Sequence, residues 1–347
     1  MTERRRRVIG VTASLLLLVG GLGAHACQTT LEAWAPALTV ATRGRPKVHD
    51  LLEWQTLLWI AQGSGPSGTG RAVIRAYDDA TGALMTAFEV PADTYGGAPY
   101  WRALRVFNGA LYAGLGNNRD VAGTGDVYRF DGASWARVLD TDESDVYSLE
   151  VYGGQLYAGA GTDGLGAGKL YASPDGTTWD LVRTFSSDHV RALQVWQERL
   201  YIGLKQRGRL WSTDGTTFVD HRGTVQLPTQ VKTLVPYGGR LYVGGVPAKI
   251  YAWDGQAFTL ALDARETDSE IYKGAVYAGC LFFPTNARGV GGRVYKFDGA
   301  TWTLDYVDAE TSAQFQVVAP YAGALWLGGG ARRGWPLTLR ATRQSPD

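Results

Sequence analysis

A small pattern returns along this chain at intervals of 40 to 53 residues. An anchoring residue is followed by an aromatic three places on, then by Leu and a second aromatic at the seventh and eighth places. The copies run Leu51/Trp54/Leu58-Trp59, Leu104/Phe107/Leu111-Tyr112, Leu149/Tyr152/Leu156-Tyr157 and Leu193/Trp196/Leu200-Tyr201. They continue as Leu234/Tyr237/Leu241-Tyr242, Gly274/Tyr277/Leu281-Phe282 and Val318/Tyr321/Leu325-Trp326. One unit of this size cannot bury its own apolar face, so the copies must stack on one another. The repeat decides the architecture and leaves the chemistry open.

Each copy reads as four short strands. In the second, strands near 103–107 and 111–114 flank Asn108-Gly109, and Val127 to Phe130 is followed by Asp131-Gly132 and Trp135. Asn-Gly and Asp-Gly favour tight hairpins, because both central positions need positive φ. The later turn recurs as Asp175-Gly176, Asp214-Gly215, Asp254-Gly255 and Asp298-Gly299, trailed by Trp179, Phe218, Phe258 and Trp302. The second strand is apolar at adjacent positions, as in a sheet covered on both faces. Four-stranded sheets stacked radially form a propeller. The expected fold is all-β, a seven-bladed β-propeller of four-stranded antiparallel blades. The last copy lacks a fourth strand, and Leu31 to Leu38 parallels the tryptophan-bearing strand at Ser134 to Leu139. Residues 27–40 are therefore expected to supply that strand and close the ring, with 27–347 as a single domain.

Leu241-Tyr242-Val243-Gly244-Gly245, and Val294-Tyr295-Lys296-Phe297-Asp298 followed by Trp302, resemble the second and third strands of kelch-type repeats. Ser173 to Trp179 and Ser212 to Phe218 resemble the Asp-box of sialidase-like propellers. The Asp-box resemblance implies a structural turn away from any active site.

The leader is distinct. Arg4 to Arg7 precede an apolar stretch to about Leu22, and Ala24-His25-Ala26 follows, which together read as an export signal over 1–26. Cleavage after Ala26 releases a periplasmic or secreted protein. Alternatively, Cys27 becomes a lipid-modified first residue, the chain's one route to a membrane. Cys27 and Cys280 are the only cysteines, and a bond between them is the alternative fate of Cys27. Without the first 26 residues, 30 basic face 32 acidic residues. No basic stripe of the kind nucleic-acid binding needs is present.

The tight turns all fall on one face of such a ring, and the long loops, such as 61–71, 89–103 and 284–293, fall on the other. Two places before each anchor stand His49, Arg102, Tyr147, Arg191, Lys232, Tyr272 and Gln316. One place earlier stand Val48, Trp101, Val146, Val190, Val231, Ile271 and Phe315. The polar set is expected to ring the mouth of a central channel and to bind a small anionic or carbohydrate ligand, or a protein partner. The same residues could instead only satisfy strand ends at a wet entrance. Asp140, Asp142 and Asp145 have the oxygen chemistry for Ca²⁺ but lack an EF-hand pattern. His49, His189 and His221 share the loop face without a metal-binding spacing.

No nucleophile elbow, cysteine–histidine pair or phosphate loop occurs. The expectation is an exported, monomeric, non-catalytic propeller. One alternative is a carbohydrate-active enzyme, sialidase-like or lyase-like, using Arg102, Arg191, Tyr147 or Tyr272 with Asp145 or Asp188. Another is a structural part of a cell-envelope complex.

Overall fold

The computed structural model describes residues 27, 30–40, 46–64, 71–91, 99–117, 119–162, 167–186, 189–206, 208–222, 225–287, 291–308, 314–330 and 337–345. Residues 1–26, expected to be an export signal, Asp188 and parts of most long loops lie outside them. The described residues form 29 strands in antiparallel ladders.

Strand β1 (Ala35–Val40) comes first. The first ladder is β2 (Pro46–Trp54), β3 (Leu57–Ser64), β4 (Ala72–Asp78) and β5 (Ala83–Val90). Next come β6 (Pro99–Phe107), β7 (Ala110–Asn117), β8 (Asp126–Phe130) and β9 (Trp135–Asp140). The third ladder is β10 (Asp145–Tyr152), β11 (Gln155–Gly161), β12 (Gly168–Ser173) and β13 (Asp180–Phe185). The fourth is β14 (Val190–Trp196), β15 (Arg199–Leu204), β16 (Leu210–Thr213) and β17 (Phe218–Asp220). The fifth is β18 (Gln230–Tyr237), β19 (Arg240–Val246), β20 (Lys249–Trp253) and β21 (Phe258–Asp263). In the sixth the first strand is split into β22 (Asp268–Ile271) and β23 (Ala275–Tyr277), ahead of β24 (Cys280–Ala287), β25 (Arg293–Phe297) and β26 (Trp302–Val307). The chain ends with β27 (Gln314–Tyr321), β28 (Ala324–Gly330) and β29 (Leu337–Arg343).

The turns explain the local folding. Each first-to-second hairpin closes on two residues of positive φ, from Asn108 (46°) and Gly109 (74°) to Gln197 (45°) and Glu198 (58°). That is the turn whose twist matches paired strands. In the third-to-fourth turns an aspartate caps the backbone: Asp175 Oδ1 accepts the N–H groups of Thr177 and Thr178, both at 2.7 Å. Asp131, Asp214, Asp254 and Asp298 do the same.

Apolar clusters lie between ladders. Trp59 and Ile74 of the first meet Trp101, Leu104 and Leu111 of the second. Leu170 and Phe185 of the third meet Leu193 and Ile202 of the fourth. Val40, Trp326 and Leu337 pack on Val48, Leu51 and Ile60, so the end of the chain rests on its beginning. Single backbone pairs also join neighbours, at Lys47–Gly330, Gly63–Tyr100 and Gly116–Asp145. Each such bond is worth about 1 kcal/mol net. Each fully buried Val or Leu stabilises by about 1.5–3 kcal/mol, so packing holds the ladders together.

That packing has a repeated contact. Gly114, Gly159, Gly203, Gly244 and Gly328 lie in second strands. They face Val146, Val190, Val231, Ile271 and Val48 of the next ladder's first strand. A Cβ on any of these glycines would stand no more than 3.0 Å from that neighbour's side chain.

The N-terminal segment runs along the last strand. β1 pairs antiparallel with β29, and Leu31 bridges Gln344. Trp34 Nε1 donates to Asp305 Oδ2 at 2.8 Å and its ring packs on Tyr306. Cys27 is disulfide-bonded to Cys280, across 253 residues of sequence. A thioether-linked lipid on Cys27 would need the sulfur that this bond occupies.

Two outcomes follow for stability. Gly203→Val should cost about 1–3 kcal/mol by overpacking, and adding Val231→Ala should recover part of it; chemical denaturation of both variants checks this. Deleting residues 28–40 should lower the melting temperature strongly, while Cys27→Ala alone should cost about 2–4 kcal/mol; thermal melts with and without reductant separate the two effects.

Candidate functional site

The entry to the first strand of each ladder carries an irregularity. Register slips by one residue at His49, Arg102, Tyr147, Arg191, Lys232 and Gln316. A bulge sets two residues against one, bends the strand and re-aims the extra side chain. Tyr272 lies in the gap between β22 and β23, where its N–H donates to the Pro284 carbonyl at 3.0 Å. All seven residues line one cavity of about 240 Å³, together with Lys47, Glu270 and Lys273. The preceding apolar residues, Val48 to Phe315, are buried between ladders.

A second cavity of about 210 Å³ is walled by first-strand residues of successive ladders and shares Arg191, Lys232 and Lys273 with the mouth. Lys273, in the sixth ladder, reaches the first two. Its ammonium pairs with Asp50 at 2.8 Å and donates to the Arg102 carbonyl at 2.9 Å. Asp50 also accepts the Leu104 N–H at 2.8 Å. Deeper still, Arg105 pairs with Glu150, whose carboxyl is pushed up by burial despite that partner.

Most charges at the mouth are matched between neighbouring ladders. Asp145 is fully buried and accepts from the Tyr100 hydroxyl at 2.6 Å, Arg102 Nε at 3.0 Å and the Ser144 hydroxyl at 2.8 Å. Lys232 Nζ donates to Glu270 Oε2 at 2.5 Å and stands 4.4 Å from the centre of the Tyr272 ring. The Tyr272 hydroxyl also donates to Glu270. Burial, reinforced by Arg191, brings the Lys232 ammonium down to about 7 against the pull of Glu270. Burial raises Glu270, but Lys232, Tyr272 and Arg191 outweigh it and hold the carboxyl below its ordinary range. Burial, then Glu270, drives the Tyr272 phenol upward. His49 is held well below 6.5 by burial, then by Arg102, Lys47 and Lys273, so its ring is neutral at neutral pH.

Arg191 differs. Its guanidinium lies 4.7 Å from the centre of the Tyr147 ring, whose ring also lies 5.0 Å from the Arg102 guanidinium. Among the described residues no carboxylate forms an ion pair with Arg191.

Other candidates are not brought together. Asp140 turns to Arg137 at 3.1 Å, Asp142 to Lys169 at 2.5 Å and Asp145 to Arg102. The three acids thus face three different cations and do not converge as a Ca²⁺ cage. His49 packs on Tyr100, His189 stacks on Tyr147, and His221 sits between Tyr201 and Trp253 with a hydrogen bond to Ser212. The histidines thus have separate surroundings. Asp145, weighed as a catalytic acid, has both carboxylate oxygens already engaged.

Sequence reasoning missed Tyr100, Asp50 and Lys273. The signal for the last two lies in the register after the mouth residues, where Asp50 and Lys273 replace small residues such as Ala103, Ser148 and Ala192.

No family model and no curated protein matches the chain. Its fold is similar to solved structures. One is the β-propeller domain of the Trilobed protease from Pyrococcus furiosus, at 12% identity and TM-score 0.56 over 88% of this chain and 97% of that one. Another is YCF48 bound to D1 peptide, at 12% identity and TM-score 0.63 over 94% of this chain and all of that one. The chain has a β-propeller fold. The resemblance to kelch or Asp-box repeats finds no counterpart in a matching family.

Asp145→Asn should destabilise the protein by about 3–5 kcal/mol, because it leaves Arg102 at a partly buried site without its carboxylate. Arg102→Met in the same chain should recover part of that loss; denaturant midpoints of the single and double variants test it.

Proposed function

We propose that this chain is an exported, closed, seven-bladed propeller that binds the carboxylate of a ligand at its channel mouth and does not transform it. The carboxylate belongs either to a small acid, sugar acids included, or to the C-terminus of a peptide. Closure is supported by the β1–β29 pairing and by the packing of the last ladder on the first. Export is supported by the arginine-led leader and by the disulfide, a bond that persists in oxidising compartments.

One observation carries the binding reading. Arg102, Lys232 and Lys273 each have a carboxylate partner, whereas Arg191 has none among the described residues and opens onto the cavity. A ligand carboxylate completes that set, with Tyr147 and Tyr272 as aromatic walls. YCF48 has been solved with a peptide bound, which agrees with a peptide occupant on this fold.

Calorimetric titration with glycolate, glucuronate, and one short peptide as free acid and as amide tests this. Arg191→Gln should weaken carboxylate binding about 10–100-fold, the loss of one charge-assisted hydrogen bond. Lys232 is charged below about 7 and neutral above it. Affinity for carboxylates should therefore fall as pH rises from 6 to 8. Equal binding by wild type and Arg191→Gln, or by acid and amide peptides alike, would sink the reading.

A further inference from the structure

Lys232 has a chemistry that carboxylate binding does not use. Its side chain is only 9% exposed, yet it borders both the mouth and the deeper cavity. From its own strand it meets Glu270 and Tyr272 of the next ladder, with Arg191 of the preceding ladder on the same two cavity walls. Arg102 adds positive charge from further round the mouth, and Lys273 lines the same walls. Glu270 touches both the Lys232 amine and the Tyr272 hydroxyl, and Asn286 Nδ2 donates to that hydroxyl at 3.1 Å. The amine therefore stands at a water-poor wall with a proton acceptor in contact and an anion-binding guanidinium nearby.

We propose that Lys232 is a reactive amine that captures a small carbonyl-bearing acid, such as a 2-oxo or aldehyde acid, as a reversible imine while Arg191 holds its carboxylate. The ligand's charge rests on the reading given above; the reactivity of the amine does not. The step balances without a further reagent. Glu270 takes one proton from the Lys232 ammonium, and the freed nitrogen pair attacks the carbonyl carbon. The C=O π pair moves to oxygen, which gains the second amine proton, giving a carbinolamine. Its hydroxyl leaves as water with the proton returned by Glu270, and the remaining nitrogen pair closes the C=N bond. One amine and one carbonyl give one imine and one water.

The surroundings favour this amine over others. A lysine near 7 is about half neutral at neutral pH, whereas an ordinary one is almost wholly ammonium. Lys169 is a built-in contrast: Asp142 and Glu143 outweigh its desolvation and push it up to about 12.

The experiment incubates the intact protein at pH 7 with glyoxylate and cyanoborohydride, then maps reduced adducts by peptide mass spectrometry. Lys232 should label about tenfold or more faster than Lys169 or Lys249. Glycolate, which has the carboxylate and no carbonyl, should slow labelling by competition. Arg191→Gln should slow labelling by glyoxylate more than labelling by uncharged acetaldehyde, which falls only because Lys232 holds its proton more tightly without the neighbouring charge. Lys232 labelling no faster than Lys249 in the wild-type protein overturns the proposal, and no variant is needed to see it. Glycolate binding without a Lys232 adduct overturns the imine and spares the carboxylate reading. Rapid Lys232 labelling by glyoxylate and acetaldehyde alike, with no glycolate binding, supports the reactive amine and overturns the carboxylate reading.

Discussion

The architecture depends on a close approach that only glycine permits. A second-strand glycine in one ladder receives the β-branched residue at the head of the next ladder's first strand, as at Gly159 with Val190 and Gly328 with Val48. The missing Cβ lets adjacent sheets approach at their inner edges. Larger aromatics fill the space elsewhere, where Phe88 of the first ladder stacks on Trp135 of the second and Phe185 of the third meets Phe218 of the fourth edge to face. Sheets that touch closely at one edge and are propped apart at the other form wedges, and wedges stacked in series curve round an axis. The axial cavity walled by first strands is the result.

The same contact positions the site. The residue that fills the glycine notch is followed at once by the bulged residue, as Val190 is by Arg191 and Val231 by Lys232. Burial of the first anchors the strand, and the bulge directs the second toward the mouth. Side chains more than 200 residues apart in sequence thereby line one cavity, His49 and Gln316 among them. Charges gathered this way are costly to desolvate unless matched. Adjacent ladders supply two matches, Asp145 for Arg102 and Glu270 for Lys232, and Asp50 of the first ladder matches Lys273 of the sixth. One inequality remains, a guanidinium over an aromatic ring without a carboxylate partner among the described residues, and the proposed preference for carboxylates rests on it.

Much of this was legible before any coordinates. Strand order, the Asp-Gly turns, the buried register from Val48 to Phe315 and the polar register from His49 to Gln316 all follow from repetition, which turns single weak signals into a column of aligned ones. Other features were not. Gln55-Thr56 and Gln197-Glu198 adopt the same positive-φ hairpin turn as Asn108-Gly109, although neither pair suggests it. Strand pairing on both sides imposes that turn. Asp140, Asp142 and Asp145 look like a cation site because they are neighbours in sequence, yet strand and loop geometry points each toward a different base.

The amino-acid sequence by itself determined the repeating unit, its strands, and which side chain in each copy is buried or presented, because those depend on local period and composition. Only the tertiary structure decided which presented charges neutralise one another, that Lys273 of the sixth ladder reaches the first two, and that Cys27 meets Cys280. Those outcomes depend on distances between segments far apart in the chain, and such distances exist only once the ladders have packed.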